Sequence, residues 1–217
     1  MRFNKKAALE LSITAIVVLI IAITVLGLGI GFIKKQFGAG TQLVEKELSN
    51  IKEQLKEQVR TGGELLVFSV PEQVSIGKPQ NVIIGVRNTA QNIDADRICF
   101  RVEVNCIKPF TPNAPCVSDQ PGPPFEAVAV GGYDTANNDF VTGNHNWFKS
   151  ILGQFDLKNF EGDVYDATLL VRGVKPDSYQ MEINVYKEPN DKACKDQGFS
   201  DPAKELYASK TFILNVV

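Results

Sequence analysis

Between Glu10 and Lys34 the chain carries no charged side chain, so 23 consecutive residues, Leu11 to Ile33, run uncharged. At ~1.5 Å of rise per residue, a helix of that length reaches roughly 35 Å, enough to cross a bilayer core of about 30 Å with some tilt. No other stretch limits the fold so severely. Whatever the rest of the chain does, it carries a greasy N-terminal helix that must lie in lipid or against other helices.

The next stretch is amphipathic. From Thr41 to Arg60 the residues Val44, Leu48, Ile51, Leu55 and Val59 recur at spacings of four and three, one apolar stripe on an otherwise charged helix. Glu53 and Lys56, and Glu57 and Arg60, form i,i+3 pairs, each worth only ~0.2–0.5 kcal/mol. The stripe is short for a coiled coil. It suits packing on the chain's own head or a dimerising stalk. Thr61-Gly62-Gly63 ends the helix, since glycine suits the position past a C-cap.

The remainder reads as β. Seven runs of β-branched and aromatic residues lie between Pro, Gly and Asn clusters: Leu65–Val70, Asn81–Arg87, Arg97–Asn105, Phe148–Leu157, Asp166–Arg172, Tyr179–Tyr186 and Tyr207–Val216. Such spacing suggests a sandwich. In the third run Ile98, Phe100, Val102 and Val104 share one face, with Arg97, Cys99, Arg101 and Glu103 on the other. Met181, Ile183 and Val185 share a face of the sixth. Two stretches exceed ordinary connections: Ile107 to Asn146, rich in proline, with a short strand at Ala127–Val130, and Glu188 to Glu205. They read equally as exposed variable surface or as neutral decoration.

The start of the chain carries a resemblance. Lys5-Lys6-Ala7 followed by Ala8-Leu9-Glu10 and the apolar helix looks like the class III signal sequence of type IV pilin-like proteins, especially the archaeal ones. In that family a membrane peptidase cuts ahead of the hydrophobic stretch, after a small residue preceded by a basic one, and the helix stays in the mature protein. The resemblance implies a cut between Ala7 and Ala8, with Lys6 as the basic residue; a cut between Ala8 and Leu9 is the alternative. Bacterial pilins have Gly before the cut and Glu at the fifth mature position, whereas this chain has Ala7 and places Glu10 third. A secretory leader fits less well, because its apolar region is only ~7–15 residues long and ends in a small-residue cleavage site.

Physical considerations bear on the same residues. Arg2, Lys5 and Lys6 favour a cytoplasmic N-terminus, and Lys34 and Lys35 on the other flank weaken that bias. A carboxylate at the start of a membrane helix is costly unless paired. The family resemblance implies that Glu10 pairs with the freed α-amine of a neighbouring subunit; the plainer reading is a solvated Glu at headgroup level, favoured by the helix dipole. Gly27 and Gly31 form a G-x-x-x-G that lets helices approach closely, although glycine is also simply tolerated in membrane helices.

A second resemblance lies in the head. Gly173-Val174-Lys175-Pro176-Asp177-Ser178-Tyr179 resembles the tyrosine corner before strand F of immunoglobulin-like domains, where the Tyr hydroxyl bonds to upstream backbone. The antibody pattern has Cys two residues later and this chain has Met181. The fold class expected is therefore α+β: a long hydrophobic, then amphipathic, N-terminal helix followed by an immunoglobulin-like antiparallel β-sandwich. The divisions are 1–7 for the signal, 8–62 for helix and stalk, and 63–217 for the head.

All four cysteines lie in that head, an even count that suits disulfides in an oxidising exterior. Four cysteines allow three connectivities. If Arg97–Asn105 and Tyr179–Tyr186 are antiparallel neighbours, Cys99 lies beside the segment leading to Cys194, and Cys106 sits at the opposite end, where the chain enters the loop holding Cys116. Seven residues of strand, roughly 23 Å at ~3.3 Å each, separate Cys99 from Cys106, beyond the Cα separation of about 4.4–6.8 Å that a disulfide permits. The expected pairs are Cys99–Cys194 and Cys106–Cys116.

Chemistry is sparse. His145 is the single histidine, and no P-loop, G-x-S-x-G, H-E-x-x-H or C-x-x-C occurs. Asp134, Asn137, Asn138 and Asp139 offer oxygens for calcium, but their spacing matches no defined loop. Glu64 and Asp156 show no partner that would make them catalytic. The net charge of −2 speaks against nucleic acid, and no Asn-x-Ser/Thr sequon occurs. The expectation is a non-enzymatic structural subunit of a type IV pilus-like surface filament, with no cofactor or metal. Its partners are copies of itself, a prepilin peptidase with the pilus assembly machinery, and the membrane before assembly. The rival is a single-pass membrane protein with an extracellular immunoglobulin-like binding domain. Ala7→Leu is expected to block processing, leaving the chain at its unprocessed mobility on a gel; normal processing of that variant would remove the cleavage assignment.

Overall fold

A computed structural model describes residues 5–134, 136–137, 139–149, 154–194 and 205–217, with side chains inside the long helix described at 13–32 and from 49 onward. Helix α1 runs Lys5–Thr61. The chain divides between Ile51 and Lys52 into two compact units, each described by itself.

The first unit is helical. Its apolar side chains stay exposed: no residue of Ile13–Phe32 is buried, and the mean hydropathy is 2.9 over 20 residues. By length and composition this segment suffices to cross a membrane. The Thr24 hydroxyl donates to the Ile20 carbonyl at 2.7 Å, which keeps that polar group satisfied within the helix itself.

Among the described residues the second unit holds the last stretch of α1 and eleven strands. These are β1 (Leu66–Ser69), β2 (Gln73–Val74), β3 (Gln80–Arg87), β4 (Arg97–Pro109), β5 (Val128–Asp134), β6 (Asp139–Phe140), β7 (Phe148–Lys149), β8 (Phe155–Lys158), β9 (Gly162–Leu169), β10 (Asp177–Lys187) and β11 (Glu205–Val216). They join into one curled sheet in the order β1-β3-β9-β7-β5-β4-β10-β11-β2, with β6 on β5 and β8 on β4. The layout is α+β, as expected. The sheet is mixed rather than purely antiparallel, because β2 pairs parallel with β11 and β7 parallel with β5. Both exceptions are two-residue strands. After β1, Pro71 has no N–H to give to a ladder, and the chain leaves β3 and next pairs at β11.

Strand β4 is longer than its hydrophobic run predicts and is buried on both faces. Ile98, Phe100, Val102 and Val104 enter the core as the alternation implies. The opposite face is not solvated. Cys99 is bridged, the Arg101 guanidinium stacks over the Tyr133 ring at 3.9 Å, and Glu103 accepts from Asn105 Nδ2 at 2.8 Å. Strand β5, in the proline-rich stretch where only a short strand is expected, pairs edge to edge with β4 and carries the Tyr133 ring. Its Gly131 lies where an added Cβ would come within 2.6 Å of Phe148 Cβ, so this glycine serves a close approach.

Two further differences have physical causes. The run Phe148–Leu157 is not one strand: β7 pairs with β5 and β9, β8 pairs with β4, and residues 150–153 lie outside the described residues. Strand β9 begins at Gly162, four residues before the run at Asp166 that marks it in sequence. Its polar opening is accommodated by the helix. Lys52 Nζ lies 2.5 Å from Asp166 Oδ2 and Lys56 Nζ 3.8 Å from Asp163 Oδ1.

Within the second unit Val59 of the stalk stripe is fully buried and Leu55 half-buried; Ile51, the last residue of the first unit, is exposed. Side chains at Val44 and Leu48 lie outside the described residues. Val59 sits against two strand glycines. A Cβ on Gly85 would fall 2.4 Å from Val59 Cγ2, and one on Gly162 would fall 2.5 Å from Val59 Cγ1. The Arg87 guanidinium donates to the Gly62 carbonyl just past the helix end. Overpacking of a stiff β-branched contact typically costs about 1–3 kcal/mol. Gly85→Ala is therefore expected to lower unfolding stability by about that much, and adding Val59→Ala is expected to restore part of it; purely additive losses in urea unfolding would show that the two positions do not meet.

Candidate functional site

The exposed apolar segment of α1 is the first candidate. Gly27 and Gly31 lie one turn apart on it, and an added Cβ at either would meet nothing within 4 Å. The small-residue face is thus open to a neighbour. Lys6, Ala7, Ala8 and Glu10 fall in the first turns of α1, but their side chains lie outside the described residues, as do residues 1–4. What Glu10 touches is accordingly no part of the geometry.

In the β unit, both bridges exist as Cys99–Cys194 and Cys106–Cys116, with Cα separations of 4.6 and 6.0 Å. The antiparallel register explains them. Phe100 lies opposite Lys187 at one end of the β4–β10 ladder, and Pro109 lies opposite Tyr179 at the other. Asp156, unassigned from sequence, accepts from the Cys194 N–H at 2.8 Å and fixes that bridge. Cys99, Asp156 and Cys194 gather donor atoms in one place, but both sulfurs are bonded to each other and offer no thiolate. Glu64 lies 3.8 Å from Lys210 Nζ in an exposed pair.

The turn Gly173–Tyr179 behaves as its sequence implies. Tyr179 is buried, its hydroxyl donates to the Lys175 carbonyl at 2.7 Å, and its ring meets Trp147 edge-on at 5.8 Å between centroids. Burial pushes the Tyr179 phenol above its ordinary range, and the Asp177 charge adds to this. The turn faces the loop closed by Cys106–Cys116. Thr111 N–H donates to Asp177 Oδ2 at 3.0 Å, Ser118 N–H to the Gly173 carbonyl at 3.2 Å, and Phe110 N–H to the Ser178 carbonyl at 2.8 Å. Burial alone would raise the Asp177 pKa; the bonds from Thr111 and Ser178 outweigh it and hold the carboxyl low. Between turn and loop opens a cleft of about 620 Å³, whose walls include Pro112, Asn113, Ser118, Val174 and Lys175. Sequence reasoning sees the turn and the loop but not the cleft, because the two are more than fifty residues apart.

His145 and the calcium-like cluster resolve into local roles. His145 Nε2 lies 2.7 Å from both Asp119 oxygens in an exposed pair, and that hydrogen bond holds the Asp119 carboxyl below its usual range. Asp134 Oδ1 accepts from the N–H groups of Ala136 and Asn137, and Oδ2 from Asn137 Nδ2, so the turn itself occupies the carboxylate. Asn138 lies outside the described residues.

No family model matches the chain, and no curated protein matches it. Among solved structures, a PapD-like domain of human CEP192 is similar at 12% identity and TM-score 0.33, covering 70% of this chain and 83% of that one. The superoxide reductase (neelaredoxin) from Ignicoccus hospitalis is similar at 12% identity and TM-score 0.33, over 71% and 81%. AvmM, titled as catalysing macrocyclization in alchivemycin A biosynthesis, is similar at 10% identity and TM-score 0.37, over 70% and 87%. At these scores the likenesses carry no argument. The fold itself defines the class: an exposed apolar N-terminal helix followed by a disulfide-bonded β-rich unit, an architecture that fits a pilin-like subunit.

Tyr179→Phe removes one donor and leaves the Lys175 carbonyl unpartnered. The expected loss is about 1 kcal/mol in urea unfolding. An unchanged midpoint would show that the corner bond contributes nothing.

Proposed function

We propose that this chain is a structural subunit of a type IV pilus-like cell-surface filament of the archaeal kind. One observation carries the reading: an uncharged helical segment, Ile13–Phe32, in which no residue is buried, shortly after Lys5-Lys6-Ala7. Such a surface is stable only in lipid or against other helices. On this reading a prepilin peptidase removes residues 1–7, the helix holds the subunit in the membrane before assembly, and the helices then bundle into a filament core. Gly27 and Gly31 allow close approach there, and Glu10 pairs with the α-amine of a neighbour. The heads, residues 63–217, form the outer surface and serve adhesion. The two disulfides support placing the head outside the cell. No cofactor, nucleic acid or catalytic step belongs to this reading.

We read the curled sheet as an immunoglobulin-like sandwich. The Tyr179–Lys175 bond, the antiparallel β4-β10-β11 neighbours and the parallel β2 on β11 support it.

Intact mass of the protein from its native membrane or filament decides between this reading and the single-pass anchor. Loss of Met1 to Ala7 is expected, and retention of those residues selects the anchor. Glu10→Gln is expected to leave insertion intact, since removing a charge eases it, while lowering filament yield severalfold. Wild-type filament yield from that variant would exclude Glu10 as an assembly contact.

A further inference from the structure

Strand β11 pairs with β10 along its whole length but leaves most of its other edge open. There β2 takes up only Asn215 and Val216, and the strand order ends with it. The bonds at that end fix which groups the open edge presents. Val217 N–H donates to the Val74 carbonyl at 2.9 Å, and the Val217 carbonyl accepts from Ile76 N–H at 3.1 Å, so Val217 turns its backbone groups away from β10. Along a strand these groups alternate between the two edges. The β10–β11 register is regular from Ala208 to Val216. Ser209, Thr211 and Ile213 therefore present N–H and C=O on the open edge, over roughly 13 Å at ~3.3 Å per residue. Among the described residues no strand pairs with them there.

The open edge borders a groove of about 380 Å³. Glu64, Leu65 and Leu66, at the start of β1, line one side of it, and Ala208, Ser209 and Lys210 of β11 line the other. Strand β1 pairs with β3, and its Phe68 ring meets the Phe212 ring edge-on at 4.9 Å, so β1 and β11 meet through side chains without backbone pairing. Leu66 is buried and Leu65 half-buried, which gives the groove an apolar wall. Lys210 Nζ lies 3.8 Å from Glu64 Oε2 across it, in an exposed pair of the kind that contributes little.

We propose that this edge takes up an extended polypeptide segment by strand addition. The chemistry of the edge selects that ligand. N–H and C=O pairs repeated at every second residue match the backbone of a strand and no more compact molecule. A row of unpaired ladder groups is a ready template for another chain, and strand edges are commonly blunted by proline, by bulges or by inward-pointing charges. From Ser209 to Ile213 there is no proline and no bulge, and the one charge, Lys210, is engaged by Glu64. The edge is also competent to pair. Strand β2 already forms a parallel ladder on its last residues, and an added strand continues that ladder toward Ser209. Backbone bonds supply the affinity, and the wall of Leu65 and Leu66 favours apolar side chains at alternate positions of the added strand. The contact lies wholly in the β unit, so it is independent of the removal of residues 1–7 and of helix bundling.

The test uses the full chain in detergent, amide-resolved hydrogen exchange, and a capped peptide that alternates threonine and valine with a lysine at each end. In the chain alone the amides of Ser209, Thr211 and Ile213 are expected to exchange freely, while those of Lys210 and Phe212, which face β10, are protected. Saturating peptide is expected to slow the first three severalfold and to leave the other two unchanged. The same peptide N-methylated at every residue is expected to give no protection. Thr211→Pro removes an N–H that points away from β10, so it is expected to keep the β10–β11 ladder protected and to weaken peptide binding severalfold. Protection of the three amides that rises with protein concentration, without peptide, supports strand addition and identifies a second copy as the source of the strand. Their protection at every dilution overturns the proposal, because the chain's own backbone then fills the edge. Failure of the peptide at millimolar concentration to protect them overturns it as well, and leaves Lys210 as a guard of the edge. Binding that survives both Thr211→Pro and N-methylation also overturns it, in favour of a side-chain contact in the groove.

Discussion

Burial of strand β4 on both faces is the constraint on which the β unit depends. It pairs with β10 along most of its length and also with β5 and β8, and its two cysteines begin both disulfides. A strand in this position must satisfy polar side chains locally, since burying an unpaired charge is costly. Arg101 over Tyr133 and Glu103 with Asn105 do this on the face away from the aliphatic core. The long proline-rich segment is thereby given a structural purpose. It returns as β5, which pairs with β4 and brings the Tyr133 ring over Arg101.

The end of α1 is tied to this unit by shape rather than by a broad apolar stripe. Val59 occupies the space over Gly85 and Gly162, where any Cβ would collide with it. The flanking Lys52–Asp166 and Lys56–Asp163 pairs are exposed, and pairs of that kind contribute ~0–1 kcal/mol each. The fit of one valine against two glycines therefore does more to hold the helix end than the charges beside it.

The first unit poses the opposite condition. Its apolar side chains from Ile13 to Phe32 are all exposed, whereas the β unit buries a core that includes Trp147, Phe100 and Tyr179. One molecule thus carries a part that satisfies itself and a part that needs surroundings. That contrast fits the membrane-held subunit proposed above.

The sequence by itself determined the elements whose signal is local. The uncharged run from Leu11 to Ile33 reads as a helix long enough to cross a bilayer core, and α1 covers it. Thr61-Gly62-Gly63 ends it, and α1 stops at Thr61. The residues from Gly173 to Tyr179 specify a turn whose hydroxyl bond closes four residues back. The disulfides were legible as a preferred pairing, because the expected antiparallel neighbours put Cys99 beside the segment leading to Cys194 and strand length separates Cys99 from Cys106. Tertiary structure alone decided the rest. The polar start of β9 lies outside the run read at Asp166–Arg172, and lysines of α1 pair with its carboxylates; that Gly85 and Gly162 make room for Val59 has no local signal. Gly131 hides β5 in the same way until Phe148 packs on it. The cleft joins segments more than fifty residues apart, Ser118 to Gly173, and Asn92 bonds to Asn159 across a similar gap. Local periodicity reports which face of an element is apolar. It carries no record of which distant element covers that face, and burial of a charge or a bare glycine is stable only once that cover is in place.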